Sequence, residues 1–217
     1  MRLAAINIGR PKTVDMGAGP ESTAIFKTSV AGPVTVTEEG LVGDEVGDTM
    51  RHGGPDQAVY VYFGADYVHW ETLLGRQLEP GVFGDNLTIE GTDERSGTVS
   101  SKDLWVGDRL TVGPVTLEIT APRIPCGTFS RRMELPASFI DRFRNELRPG
   151  VYVRVLEPGD VTVDDAVSVI EGARTVSIVE MVGLWGSRPT VDVIDRLLSA
   201  PIAERARADL ERKRAAS

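Results

Sequence analysis

The stretch Leu104-Trp105-Val106-Gly107-Asp108-Arg109-Leu110-Thr111-Val112-Gly113-Pro114-Val115-Thr116-Leu117-Glu118-Ile119-Thr120 decides the fold class. Three short runs rich in apolar and β-branched residues, 104–106, 109–112 and 116–120, are separated by Gly107-Asp108 and Gly113-Pro114. Such runs read as strands, and such glycine-led pairs as turns. Working outward, the same grammar recurs at Leu3–Ile8, Thr23–Thr28, Val34–Thr37, Ala58–Tyr62, Val151–Leu156 and Ala166–Ile170. Gly43-Asp44 and Pro158-Gly159 supply further turn signals. Many short strands with Gly-rich turns predict a mostly β barrel or sandwich rather than a sheet of βαβ units. Two helices interrupt this body. Residues 65–74 place Tyr67, Trp70, Leu73 and Leu74 at helical spacing, and residues 136–144 place Phe139, Ile140 and Phe143 on one face. After about residue 174 the character changes. Thr190 can cap a helix carrying Val191, Ile194, Leu197 and Leu198, and Pro201 opens a charged helical run over 202–214. The predicted division is therefore a β body over 1–174 and a small helical appendage over 175–217.

Composition narrows the function. With 41% hydrophobic residues in 217, the chain can bury one substantial core. A net charge of −8 is the wrong sign for a nucleic-acid binder, so none is expected. No run is apolar enough to span a bilayer, and the start lacks a secretory pattern, so a cytoplasmic protein is expected. One cysteine makes no internal disulfide. Two histidines and one cysteine also exclude a four-ligand structural zinc site and a four-cysteine iron–sulfur cluster. There is no Gly-Lys-Ser/Thr phosphate loop, and pyridoxal phosphate is not expected.

Three segments carry candidate chemistry. In Arg51-His52-Gly53-Gly54-Pro55-Asp56, the paired glycines let backbone N–H groups approach a ligand as an anion nest. Arg51 suits a phosphate, while His52 or Asp56 could carry a proton. The plainer reading is a tight polar loop between strands. In Phe83-Gly84-Asp85-Asn86-Leu87, Asn86 offers donors and an acceptor to a heterocycle edge such as a pterin; the plainer reading is a self-bonded turn. In Pro122-Arg123-Ile124-Pro125-Cys126-Gly127, Cys126 lies in a proline-bounded loop near Arg123, Arg131 and Arg132, cations that favour its thiolate. A lone cysteine can equally be a small buried hydrophobe. A soft metal on Cys126 would find no further soft ligands in this chain. It would have to arrive already chelated, and a cofactor bearing its own dithiolene sulfurs and a phosphate tail meets that condition.

These residues resemble the MOSC domain family, named for the C-terminal domain of molybdenum cofactor sulfurase. The similarity runs from about Ser22 to Glu171. It is carried by Glu39-Gly40-Leu41-Val42-Gly43-Asp44-Glu45, by Arg51–Asp56, by Phe83-Gly84-Asp85-Asn86-Leu87-Thr88, by Val106-Gly107-Asp108 and by Arg123-Ile124-Pro125-Cys126. Asp85 stands where the family often has Glu, and the tail is shorter and more charged than in the stand-alone bacterial class. The resemblance implies a β-barrel and a molybdenum cofactor (molybdopterin) whose metal binds Cys126. It implies reduction of small N-hydroxylated molecules such as 6-hydroxylaminopurine. Cofactor contacts are then expected from Arg51, Gly53, Gly54, Phe83, Gly84, Asp85, Asn86 and Arg123, and proton transfer from His52 or Asp56. Electrons would come from an external flavoprotein or ferredoxin-type reductase, since no flavin, nicotinamide or iron–sulfur motif is visible. A homodimer stays open. The alternative activity is a carrier of the cofactor, or of cysteine-bound sulfur, without turnover.

Overall fold

The structure, a computed structural model, describes residues 1–15, 19–47, 52–93 and 97–216. Its strands in chain order are β1 (Arg2–Ile8), β2 (Lys12–Asp15), β3 (Pro20–Thr23), β4 (Thr28–Ser29), β5 (Val34–Thr37), β6 (Gly40–Leu41), β7 (Val59–Phe63), β8 (Leu87–Glu90), β9 (Thr92–Asp93), β10 (Gly97–Thr98), β11 (Arg109–Val112), β12 (Val115–Pro122), β13 (Val151–Glu157), β14 (Gly159–Val161) and β15 (Val167–Ile170). The helices are α1 (Gly64–Leu74), α2 (Gly127–Arg132), α3 (Phe139–Asn145), α4 (Ile178–Leu184), α5 (Val191–Leu198) and α6 (Glu204–Ala215).

The opening stretch forms the antiparallel β11–β12 hairpin, turning at Gly113-Pro114. It sits in an eight-stranded sheet of order β15-β11-β12-β13-β7-β8-β1-β4. The sheet is mixed: β7 and β8 run parallel, with α1 in the crossover between them. This βαβ unit corrects the expectation of none. Its second strand, Leu87–Glu90, was hidden because the glycines and Asp85-Asn86 just before it read as a turn. Closure also differs from the expected barrel. One isolated bridge, Arg2 to Ala166, links the start of β1 to the segment before β15. The reason is local. The chain opposite Leu3 is a turn, where Asp164 has φ 74° and Thr162 N–H is held by the Asp165 carboxylate. A turn offers isolated bonds, such as Leu3 N–H to Asp165 O, but no ladder. The sheet therefore stays open.

Strand β7, Val-Tyr-Val-Tyr-Phe, explains how the core divides. All five residues are buried, and alternate side chains leave opposite faces of the sheet. Val59, Val61 and Phe63 join the aliphatic cluster, which includes Leu3, Ile6, Leu87, Leu117 and Val153. Tyr60 and Tyr62 join an aromatic cluster with Trp70, Phe83, Phe129 and Phe143. The chain after residue 174 packs on this body: Val176, Ile178, Ile194, Leu197 and Leu210 share the aliphatic cluster. Thr190 takes the N-cap position of α5, as its sequence suggests, although its side chain makes no capping bond.

Asp66, fully buried in α1, shows how the aromatic side is pinned to the loop before β11. It accepts bonds from the Ser100 and Ser101 hydroxyls, from Ser101 N–H, and from Arg148 at 2.7 Å. Removing it would leave the largely buried Arg148 cation unpaired. Asp66→Ala should therefore cost about 3–5 kcal/mol in chemical denaturation. A wild-type midpoint would contradict this account of the pairing.

Candidate functional site

A cavity of about 840 Å³ opens where the segments 21–27, 44–47, 52–58 and 123–128 meet β7 and β13. Cys126, half-buried, lies on its wall. The cysteine sits where β12 has ended at Pro122 and before α2 begins, and its carbonyl accepts the N–H groups of Phe129 and Ser130. Arg123 lines the same cavity and is 8% exposed. Its guanidinium carbon lies 4.9 Å from the ring centres of both Tyr60 and Phe129. Its Nε is buried without a partner, and the guanidinium makes no hydrogen bond among the described residues. Burial alone would lower its pKa, but Tyr152, Tyr60, Cys126 and Asp85 outweigh that and raise it. The result is a permanent, poorly solvated cation beside a thiol.

Lys27, Asp44, Glu21 and Arg131 on this wall are paired, whereas the Glu45 carboxylate makes no ion pair among the described residues. Lys27 and Asp44 form an ion pair, both side chains about one-tenth exposed. Burial pulls the Lys27 pKa down against the pull of Asp44. Asp44 also accepts from Gly9 N–H at 2.7 Å and from Asn86 Nδ2 at 2.8 Å. Glu21 binds Arg131 at 2.8 Å and the Thr128 hydroxyl at 2.6 Å, tying α2 to the β2–β3 hairpin. Arg132 lies over the Phe26 ring, off the cavity wall.

Of the residues picked out from the sequence, His52, Gly53, Gly84, Asn86, Arg123 and Cys126 converge on this cavity. Arg51 lies outside the described residues. Gly53 and Gly54 have φ of 74° and 90°, conformations that only glycine adopts easily. Both angles have the same sign, so the pair lacks the alternation of an anion nest. Gly54 is off the cavity wall, and its carbonyl closes the turn over Pro55–Gln57. At Gly84, φ 77°, an added Cβ would stand 3.3 Å from Arg123 Nη1, so the bare backbone leaves room for that guanidinium. Phe83 is fully buried and stacks on Tyr62 at 4.3 Å, below the cavity.

Asp85 is also fully buried. It accepts from Tyr67 at 2.8 Å and Thr88 at 2.7 Å, and burial raises its pKa. Its place is in the scaffold beneath the site. Asn86 commits both amide donors inside the protein, to Asp44 and to the Asn7 carbonyl, and its Oδ1 accepts Tyr60 N–H. It staples β1 to β7 and has no donor left for a heterocycle edge.

Asp56 is a tether. Its carboxylate binds Arg154 at 2.9 Å and accepts Glu204 N–H, at the start of α6, at 2.7 Å. Arg154 in turn reaches Glu118 and the Pro201 carbonyl. Sequence reading missed Lys27, Tyr60, Tyr152 and Trp185, all on the cavity wall. A lysine inside the apolar run Ala24-Ile25-Phe26 was a usable signal for Lys27. Nothing local marks the others.

Comparison with known proteins places this arrangement. The MOSC domain family model matches residues 48–168. The uncharacterized protein YflK of Bacillus subtilis is 30% identical over 158 residues, covering 73% of this chain and 68% of that protein. A protein named "Reductase" from Gibberella moniliformis is 30% identical over 173 residues, 78% of this chain but only 29% of the fungal protein. The crystal structure of YiiM from Geobacillus stearothermophilus superposes with a TM-score of 0.76 at 25% identity, covering 98% of each chain. Among the described residues there is no cluster of three or more His, Cys, Asp or Glu that could hold a bare metal ion, and no helix is long and apolar enough to cross a membrane.

If Asp56 tethers the 52–57 loop to the C-terminal helices, Asp56→Ala should loosen both. We expect hydrogen exchange of the α6 amides to speed up, with a stability loss of about 1–3 kcal/mol for the lost charged bonds. Unchanged exchange over 204–215 would refute the tether.

Proposed function

This chain belongs to the MOSC domain family, and on that premise we propose that it is a molybdenum-cofactor-dependent reductase of small N-hydroxylated compounds, of which 6-hydroxylaminopurine is the model substrate. One observation carries the reading: the single thiol, Cys126, and the unpartnered, buried Arg123 share one cavity. A cofactor that brings its own soft sulfur donors needs from the protein only one thiolate and a site for its negative charge. The residues fit that need. Cys126 would ligate the metal, and Arg123 would take an anionic oxygen of the cofactor through a charge-assisted bond. Gly53 and Gly84, where side chains would crowd the site, keep the backbone bare around it. Lys27 and Asp44, already paired, shape the wall. When bound, the cofactor supplies the two electrons for cleaving the N–O bond.

The chain's own contribution is position and protons. His52, on the exposed rim, is the residue we assign to deliver a proton to the departing hydroxyl oxygen. Asp56 does not share that role here, because its carboxylate is committed to Arg154 and α6. The balance is one N-hydroxy group, two electrons and two protons in; one N–H group and water out. The electrons come from an external flavoprotein or ferredoxin-type reductase. The fungal relative's name and the family's general association with this cofactor support the reading.

The test is made on protein expressed in a cofactor-competent host. Wild-type chain should co-purify with molybdenum and pterin and should reduce 6-hydroxylaminopurine with reduced methyl viologen as donor. Cys126→Ser should lose the metal while its melting temperature stays near wild type, because Cys126 is only half-buried at the margin of the aromatic cluster and serine is close to it in size. Molybdenum retained by Cys126→Ser would refute the ligand assignment. Retained cofactor with no turnover in the wild type would instead favour the carrier.

A further inference from the structure

The reduction consumes two protons, and His52 supplies one. One other residue on the cavity wall is placed to supply the second. The chain has four tyrosines. Tyr60 donates its hydroxyl to the Pro149 carbonyl, Tyr62 to the Arg148 carbonyl and Tyr67 to the Asp85 carboxylate. The Tyr152 hydroxyl makes no hydrogen bond among the described residues, and the residue lies half-buried on the cavity wall. Strand β13 sets its direction. Val151, Val153 and Val155 turn into the aliphatic cluster, so Tyr152 and Arg154 leave the opposite face. There Tyr152 stands across from Tyr60 in the β7 register, with ring centres 4.9 Å apart. Tyr60 is a fixed neighbour, so the Tyr152 ring is held while its hydroxyl stays free. The Arg123 guanidinium lies 4.9 Å from the same Tyr60 ring, and of the groups that raise the Arg123 pKa, Tyr152 acts most strongly. Phenol and cation therefore share one part of the cavity. The other proton-bearing groups there are committed or unsuited. Lys27 is bound to Asp44, and Arg131 and the Thr128 hydroxyl to Glu21. Ser22 and Glu45 are exposed, and Gln57 carries an amide, which is not an acid.

We propose that Tyr152 is a catalytic residue that donates the second proton, to the substrate nitrogen, as the N–O bond breaks. This rests on the reductase reading above. Two electrons enter the N–O bond, which cleaves to leave a negative charge on nitrogen and a hydroxide. His52, on the exposed rim where water can leave, protonates the oxygen. The Tyr152 O–H bond breaks as the new N–H bond forms. A nitrogen anion of this kind is a far stronger base than a phenolate, so the phenol needs no base to activate it. The phenolate left behind faces the Arg123 guanidinium, whose charge stabilises it until water in the open cavity returns the proton. Tyr60, Tyr62 and Tyr67 show how this fold treats a tyrosine used for packing: the hydroxyl is paired inside the protein. Tyr152 keeps the packing ring and leaves the hydroxyl to the cavity.

The experiment has two arms, both on the full, cofactor-loaded chain. In the first, no electron donor is present. Tyrosine hydroxyls are acetylated with N-acetylimidazole and located by peptide mass spectrometry. Tyr152 should be the tyrosine that reacts, and saturating 6-hydroxylaminopurine should slow its acetylation severalfold. A Tyr152 that stays inert, or that reacts equally fast with and without the N-hydroxy compound, overturns the proposal. In the second arm, Tyr152→Phe keeps the ring and loses only the hydroxyl, so its melting temperature and molybdenum content should match wild type. With reduced methyl viologen as donor, its kcat should fall about 100-fold, the scale of a lost general acid. Its KM should change by less than about threefold, because the bond counts chiefly in the transition state. A kcat near wild type in the folded, metal-bearing variant overturns the proposal. Loss of molybdenum by the variant overturns it as well, since Tyr152 would then hold the cofactor. The acetylation arm decides alone if Tyr152→Phe does not fold. If loaded wild type does not turn over at all, the reductase reading fails and takes this proposal with it, whereas turnover by wild type with an unimpaired Tyr152→Phe overturns this proposal alone.

Discussion

One buried charge organises this molecule: the Arg123 guanidinium, 8% exposed and flanked by Tyr60 and Phe129, with no hydrogen bond among the described residues. An isolated buried cation is costly, and the faces of two aromatic rings offset only part of that cost. Arg131, Arg144 and Arg154 also carry a buried, unbonded Nε, but each bonds through its terminal nitrogens. Arg132, over the Phe26 ring, shares with Arg123 a buried, unbonded Nε and the lack of any hydrogen bond among the described residues, but it lies off the cavity wall, and Arg123 is the one beside the thiol. A group held at such cost is best explained by something that arrives to meet it.

Much of the fold serves to hold that guanidinium still. Tyr60 is fixed at three points: its hydroxyl donates to the Pro149 carbonyl at 2.7 Å, its N–H to Asn86 Oδ1, and its carbonyl accepts Asn86 N–H. Phe129 is locked among Phe83, Phe139 and Phe143. Gly84 leaves the space the guanidinium fills. Asp85, buried and with its pKa raised by that burial, holds Tyr67 and Thr88 beneath. The FGDNL motif thus acts through its bonds to the scaffold. Its Asn gives both amide donors to other parts of the chain, and its Asp never reaches the cavity wall.

This is where sequence legibility ends. Local rules located β5 and β11 to the residue, and α1 and α5 within one, because period-2 and period-3.6 burial are written in neighbouring residues. They missed β8, whose four residues follow a turn-like motif, and they suggested a barrel that one turn at Asp164 leaves unclosed. In the site, Cys126, Arg123 and the Gly53 loop were legible because prolines, glycines and charge gather there. Tyr60, Tyr152 and Trp185 were not, because each looks like an ordinary aromatic in its own element. Asp56 shows a second limit of local patterns. A carboxylate beside His-Gly-Gly looks catalytic, yet its partners, Arg154 and Glu204, lie 98 and 148 residues away, beyond the reach of any local pattern.

The claim that Arg123 is kept for a bound anion and not for the fold can be read from one thermal-melting comparison on cofactor-free protein, wild type against Arg123→Met, with and without inorganic phosphate. Losing an unmet buried charge should raise the melting temperature of Arg123→Met by about 2–4 °C, the shift of about 1 kcal/mol in a chain of this size. Phosphate should raise the wild-type value and leave the variant unmoved. A variant that melts below wild type and still responds to phosphate would mean that Arg123 belongs to the scaffold and that the anion binds elsewhere.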